Sequence, residues 1–474
     1  MSEKQQDIIA HEKARIAALV DAQRVALRTQ GPASAAQRTD RIDRAIGLLV
    51  DHEREITEAV RADFGSRSTD FSRVTEVLSP ILALKHARAH LAEWMKPQPR
   101  QAQRGEAWVQ FQPRGVVGII SPWNFPVNLA FLPLAGALAA GNRVLIKPSE
   151  LTPETSALIA RMVASAFDPT EIAVVTGSAE TGVAFSQQRF DHLLFTGATS
   201  IGRAVMRAAA ENLVPVTLGL GGKAPPILSR SVDFDASVRR IIAGKLHNAG
   251  QICLAPDYAF VPEELLDAFV EAAQEAVAAQ FPRLADNPEY TAVINARHRA
   301  RLNGYLDEAR RRGIRVVELN PARDSFGEAT GKLAPALLID PPDDTAAMQD
   351  EIFGPLLPVK TYRSMDEVLD YIDTHPRPLG LYYFGTDLAE EAMVLEHSHS
   401  GGVTLNDVIK HVGVEDLPFG GIGASGMGAY HGRDGFLAFS HARAVYRPAA
   451  QDMDMLRVPH PEPLRQALGA LIAR

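Results

Sequence analysis

The sequence predicts an α/β protein in which parallel sheets are covered by helices. Three observations carry this. Residues 5–100 show apolar side chains at three- and four-residue spacing. Residues 115–218 alternate short apolar runs with helical stretches, and a second α/β stretch follows from about 224 to 408. In the first region Ile42, Ile46, Leu49 and Val50, then Ile56 and Val60, repeat at helical spacing until Met95-Lys96-Pro97-Gln98-Pro99-Arg100 breaks the pattern. Residues 106–112 mostly alternate, with Ala107, Val109 and Phe111 set against Glu106, Gln110 and Gln112, and Trp108 the exception. That is a half-exposed strand, suited to an edge or an intersubunit sheet.

The next elements follow a strand–helix–strand rhythm. Val116–Ile120, Val144–Ile146, Ile172–Val175, His192–Phe195 and Val214–Leu218 are the apolar runs. The helix after Lys147 opens with Thr152 as N-cap, Pro153 at the first helical position and Glu154 in the first turn. Such sheets bind ligands at the carboxyl ends of their strands. Further on lie a Gly-rich segment, 418–428, and a tail patterned only at Pro463-Leu464-Arg465, which can open a short helix.

Bulk properties exclude several classes. A chain of 474 residues suggests two or three domains, and 46% apolar with 22% charged residues is ordinary for a globular protein. With a net charge of −8 and no dominant basic stripe, a nucleic-acid partner is not expected. One cysteine argues for a reducing compartment. The N-terminus, Met1 to Asp7, is polar, and the longest apolar stretch, Leu129–Gly141, is too short for a membrane span and contains Pro133. A cytoplasmic protein with no membrane partner is the expectation. The histidines show no metal-ligand spacing, His397 and His399 reading as surface, so no metal is expected.

The lone cysteine, Cys253, is the first candidate for chemistry. A lone cysteine is ordinarily a small buried hydrophobe, but Gly250 before it is a helix-stop signal and Pro256 after it cannot continue a helix, so the thiol falls on a turn, where it can be presented to a cavity. Far upstream, Pro122-Trp123-Asn124-Phe125-Pro126 could supply the amide donor that a thiol nucleophile needs where negative charge develops on oxygen. Phe195-Thr196-Gly197-Ala198-Thr199-Ser200-Ile201-Gly202 follows a strand and opens the helical run Arg203–Ala210. It can aim N–H groups at a phosphate, or simply be a tight turn. Gly219-Leu220-Gly221-Gly222-Lys223-Ala224 mimics a dinucleotide fingerprint, but Pro225-Pro226 and an extended Ile227-Leu228 follow where a helix is required. Lys147-Pro148-Ser149-Glu150 could hold a sugar, or be a solvated turn.

Taken in order, these runs resemble the aldehyde dehydrogenase superfamily. The matching segments are Pro122–Pro126, Lys147–Glu150, Phe195–Gly197, Leu220–Lys223, Gly250–Cys253, Glu351-Ile352-Phe353-Gly354-Pro355 and Pro418–Gly421, and the likeness spans roughly residues 40–450. Ala255-Pro256-Asp257-Tyr258 looks like the class 3 branch. Met206–Pro215 and Met427–Gly432 look most like its bacterial members acting on coniferyl-type aromatic aldehydes. The resemblance implies a Rossmann-like NAD-binding domain (1–98 and 117–218), an α/β catalytic domain (219–408) and a small β oligomerisation element (99–116 and 409–474), in a homodimer. It implies Cys253 as nucleophile and Asn124, with the Cys253 N–H, as oxyanion hole. Lys147 and Glu150 would hold the adenosine ribose, with Trp123 and Leu220 also lining the cofactor site. Thr196 and Gly197 through Gly202 would lie by the pyrophosphate, and Glu351 and Phe353 by the nicotinamide ribose and ring. NAD is the implied cofactor, NADP the alternative, because Glu150 would repel a 2′-phosphate. The implied substrate is a small aldehyde. Trp123, Phe195, Tyr382, Tyr383, Phe384 and Phe419 could line an aryl tunnel or be core.

One position departs from the pattern. Where the family carries the glutamate that activates water, this chain has Gly219, between Leu218 and Leu220. Three readings stay open: an oxidising enzyme with slow deacylation or a substitute base such as Glu351, an acylating enzyme using coenzyme A, or a silenced or engineered aldehyde- and NAD-binding protein. The first is favoured, because the coniferyl-type resemblance outside position 219 implies an oxidising site altered locally, and the intact Cys253, Asn124 and Glu351 argue against full silencing.

Overall fold

Helices and strands form largely where the apolar pattern puts them. The computed structural model describes residues 3–102, 105–327, 330–449 and 458–473. Helices Glu3–Gln30, Ala35–Asp51, Glu53–Phe64 and Ser79–Trp94 fill the N-terminal region. Ile42, Leu49, Ile56 and Val60 point into the core, whereas Val50, in the same apolar series, stays exposed. In chain order the strands are β1 (Gln98–Arg100), β2 (Glu106–Pro113), β3 (Val116–Ile120), β4 (Arg143–Lys147), β5 (Ile172–Val174), β6 (His192–Gly197), β7 (Val216–Leu220) and β8 (Pro226–Leu228). There follow β9 (Ala259–Pro262), β10 (Arg315–Glu318), β11 (Ala336–Ile339), β12 (Leu356–Tyr362), β13 (Gly380–Phe384), β14 (Gly402–Leu405), β15 (Gly426–Met427) and β16 (Ser440–Arg447).

Three sheets result. One has the order β15-β7-β6-β3-β4-β5, parallel except for β15. The second runs β10-β11-β12-β9-β8-β13-β14, parallel except for β10. The third is the small antiparallel sheet β1-β2-β16. Helix Asn128–Ala140, apolar on all sides, is the core helix of the first sheet and is buried from Ala130 to Ala140.

Several boundaries differ from the sequence reading. The strand expected at Val214–Leu218 starts after Pro215, which has no N–H to give a ladder, and runs on to Leu220. Gly219 is therefore interior to β7, paired with Thr196 on one side and Gly426 on the other. A Cβ at Gly426 would collide with the Leu218 carbonyl, so glycine there lets β15 dock. The helix after β4 does begin at Pro153, but the Thr152 side chain accepts no bond from it. Asp63 caps it instead, accepting from Glu154 N at 3.0 Å and Thr155 N at 2.9 Å. The helix after β6 winds from Thr199, ahead of Arg203. The segment after Gly222 is extended as β8, and a helix forms at Glu462–Ile472. Among the described residues no helix is long and apolar enough to cross a membrane, and no cluster of His, Cys, Asp and Glu could hold a metal ion.

Candidate active site

At the carboxyl ends of β6 and β7 lies a cavity of about 770 Å³ whose lining includes Trp123, Asn124, Thr196, Gly197, Gly219, Leu220, Cys253, Glu351 and Phe353. These are nine of the twelve residues singled out from sequence, brought together from segments far apart in the chain. An open depression lined by Arg24, Arg114, Arg189 and Asp191 sits at the opposite, N-terminal ends of the strands and touches none of them.

The thiol is presented by a strained turn. Helix Phe234–Leu246 ends, and Asn248, Ala249 and Gly250 then take φ of 50°, 51° and 75°. Glycine adopts this left-handed region freely; the other two residues do not, and each costs about 1–3 kcal/mol. Gly250 has a second reason to be glycine, since a Cβ there would strike the Gly354 carbonyl. Side-chain amides hold the turn. Asn248 Nδ2 donates to Gln251 O at 3.2 Å and to Asn124 O at 3.3 Å, and Gln251 Nε2 donates to Asn248 O at 2.9 Å and Ala292 O at 3.0 Å. Cys253 is partly buried, and that burial pushes its thiol up to about 12, with the negative charge of Glu351 adding to the effect. The N–H groups of Cys253 and Leu254 work the other way, bonding the thiolate form.

Asn124 is buried beside this turn, its Nδ2 donating to Gln251 O at 3.1 Å. That leaves the other amide N–H for a ligand. Its backbone carbonyl accepts from Arg67 at 2.8 Å. Arg67 pairs with Glu76 at 2.7 Å, both side chains fully buried, and the second Glu76 oxygen accepts from Val127 N and Asn128 N at 3.1 and 3.0 Å. Glu76 lies in a π-helical turn, Arg73–Leu78, a distortion that often marks functional sites. Sequence reading missed both residues, because an ion pair inside a helical run looks like surface charge.

The loop carrying Glu351 and Phe353 is clamped from three sides. Arg301 donates to Glu351 O at 3.3 Å and Ile352 O at 2.9 Å; Asp257 accepts from Ile352 N at 2.8 Å; and Lys223, paired with Asp257, donates to Asp350 O at 2.8 Å. Burial raises Glu351 to about 8, and the charge of Asp257 adds to it. Its Oε1 is buried without a partner, and the carboxylate lies against Gly221, where a Cβ would overlap it. Phe353 has a φ of 46° and meets Trp123 edge-on at 5.3 Å. His298 also stands 5.3 Å from Trp123, its imidazole lowered to about 4 by burial and by the charges of Arg301 and Arg297.

The comparisons agree with this architecture. A model described as "Aldehyde dehydrogenase family" matches residues 2–445. The chain belongs to the aldehyde dehydrogenase family. It is thereby a nicotinamide-dependent oxidoreductase. It is 54% identical over 463 residues to a probable coniferyl aldehyde dehydrogenase of Caulobacter vibrioides, covering 95% of this chain and 96% of that one. A coniferyl aldehyde dehydrogenase of a Pseudomonas species is 50% identical, with 94% and 93% covered. Among solved structures, substrate-bound AldH of Staphylococcus aureus matches with a TM-score of 0.90 at 33% identity, over 97% of this chain and 99% of that one. PnpE in complex with nicotinamide adenine dinucleotide matches with a TM-score of 0.84 at 26% identity, over 93% and 91%.

The enzyme's own residues fit a dinucleotide. Gly197 through Ser200 line the cavity at the N-terminus of helix Thr199–Ala210, where N–H groups and the helix dipole favour phosphate, and Glu351 keeps a buried oxygen unbonded. Arg203, passed over in the sequence, lines the same wall. Three expected contacts lie off the cavity. Gly202 packs under Leu220, whose side chain a Cβ would crowd. Lys147 and Glu150 stand at the end of β4, joined at 2.7 Å, the lysine buried and the carboxylate side partly exposed. Of the aromatics, Trp123 lines the cavity, while Tyr382, Tyr383 and Phe384 are fully buried along β13, and Phe195 and Phe419 are buried too.

Proposed function

We propose that the enzyme oxidises coniferyl-type aromatic aldehydes to carboxylic acids with NAD, through a thioacyl adduct on Cys253, and that release of this adduct is its slow step. The observation that carries the reading is the meeting of Cys253 and Asn124 in one cavity, with the Gln251 carbonyl fixing the amide beside the thiol turn. The Cys253 thiolate attacks the aldehyde carbon, and Asn124 with the Cys253 N–H holds the resulting oxyanion. Bound NAD supplies the hydride acceptor. Trp123 and Phe353 form an aromatic wall for an aryl substrate. Two named relatives about half identical along nearly the whole chain favour a coniferyl-type aldehyde. With the adenosine ribose at the end of β4, Glu150 would oppose a 2′-phosphate and favour NAD over NADP, its charge partly met by Lys147 at 2.7 Å.

Deacylation needs a group to take a proton from water, a service worth roughly 10²–10⁴-fold. Gly219 offers none. Glu351 is the remaining carboxylate near the thiol, its charge felt by Cys253 and its affinity for protons raised to about 8. We assign to residues 1–98 and 117–218 the cofactor domain, to 219–408 the catalytic domain, and to 99–116 with 409–474 the dimerisation element. The test is single-turnover NADH formation with coniferyl aldehyde, followed by the mass of the intact protein. A burst near one equivalent per site and an acyl adduct on Cys253 are expected. Brisk turnover to the acid without burst or adduct refutes slow deacylation, and turnover surviving Cys253→Ala refutes the nucleophile.

A further inference from the structure

Position 219 opens on the same cavity as Cys253, and its surroundings would accept a side chain. The backbone there is not left-handed. A Cβ would stand 3.3 Å from Thr196 Oγ1 and 3.6 Å from both Thr196 Cγ2 and Tyr430 Cε1, the first a tight contact and the others ordinary ones. The recess is therefore walled by one hydroxyl and one aromatic edge. Thr196 is 9% exposed, and its Oγ1 is buried with no hydrogen-bond partner. The Tyr430 phenol is the polar group within its reach, so a carboxylate in the recess would compete with that phenol for the same donor. Tyr430 is buried. Gly219, Thr196 and Cys253 line one cavity, so the recess and the reacting sulfur share it. Helix Thr199–Ala210 begins three residues after Thr196, with its positive end toward this cavity wall.

We propose that this recess binds a small monocarboxylate, formate being the best fit, which stands in for the absent side chain and serves as the base for deacylation. The proposal rests on the thioacyl reading above. A free carboxylate lacks the methylenes that would tether a glutamate, so its size decides the fit. Formate is the smallest carboxylate and leaves most room beside Thr196 and Tyr430, acetate adds one methyl, and pivalate adds a bulky tert-butyl group. The Thr196 hydroxyl donates to one carboxylate oxygen. The other takes a proton from water as the water oxygen bonds to the thioester carbon. The carbonyl re-forms as the carbon–sulfur bond breaks, and Cys253 leaves as thiolate and is reprotonated by the acid just formed. The oxidation is complete before this step, so no oxidant or reductant is consumed.

The experiment measures steady-state NADH formation and the intact-protein adduct with coniferyl aldehyde and NAD, titrating sodium formate at constant ionic strength. We expect the rate to rise about tenfold or more and to saturate in formate, a recovery of part of what a built-in base supplies. The adduct should fade in step, acetate should act more weakly, and pivalate and chloride should do nothing. Gly219→Ala places a Cβ 3.3 Å from Thr196 Oγ1 but leaves the head-group position open, so saturation should persist at a shifted formate concentration. Gly219→Glu should turn over quickly with no formate response. If burst and adduct form yet saturating formate changes neither, the site does not exist, although the thioacyl reading stands. A linear response equal for formate and pivalate is bulk buffer catalysis and also overturns the site. Brisk turnover without any adduct, or no burst at all, overturns the slow-deacylation reading and this proposal together.

Discussion

A thiol held near 12 is almost wholly protonated at neutral pH, so the free enzyme's nucleophile is stored rather than primed. The cause is burial first and the Glu351 charge second. Because the acid is weakened, its reactive form grows as pH rises. Alkylation of Cys253 by iodoacetamide in the free enzyme should therefore climb through pH 7–10 without levelling. Glu351→Gln removes the neighbouring charge and should shift that profile to lower pH; a plateau below pH 8 in the parent enzyme would contradict the picture. At this scale the sequence was informative about identity and weak about geometry. Gly250 and Pro256 marked the turn, but nothing in Asn248 or Ala249 signals a positive φ, which is imposed by the amide bonds of Asn248 and Gln251. Gly202 packs under Leu220, and a glycine needed for packing and one needed beside a phosphate look alike in a string of letters.

Elements place the oxyanion donor. The Arg67–Glu76 pair ties the π-helical turn to the Asn124 carbonyl and to the first N–H groups of helix Asn128–Ala140. Burial works against both charges, and their mutual attraction with the two backbone N–H bonds offsets it. Removing one partner leaves the other charge buried alone. Glu76→Gln should therefore lower unfolding stability by about 3–5 kcal/mol in a denaturant titration, and should slow the NADH burst by loosening Asn124. Arg67→Met combined with Glu76→Leu should recover much of the stability while leaving the burst slow. A loss below about 1 kcal/mol for Glu76→Gln would mean that the pair is not holding the loop. The strands were legible because a sheet covered on both faces must be apolar throughout. The Thr152 cap was misread because its replacement, Asp63, comes from a helix distant in sequence.

Across the whole molecule, the small sheet is where a second subunit would be received. Among the described residues β16 pairs with β2 on one side only, and its residues are mostly exposed from His441 to Arg447. An open edge of this kind is normally covered or paired. Sedimentation velocity should give twice the chain mass, and Ala444→Pro, at mid-strand, should shift the enzyme toward monomer; a monomer in the parent protein would refute dimerisation. Alternation in residues 106–112 announced the strand, but its pairing with a partner more than three hundred positions away left no mark in local periodicity.

Only one cysteine exists in the chain. No second thiol can trap it as an internal disulfide, so peroxide has a single thiol to strike, and only an external thiol can cap the sulfenic acid before it oxidises further. Oxidation proceeds through the thiolate, and this thiol is partly covered and seldom ionised in the free protein. The burial that delays the nucleophile therefore also preserves it: enzyme kept without cofactor or substrate should outlast enzyme stored at alkaline pH.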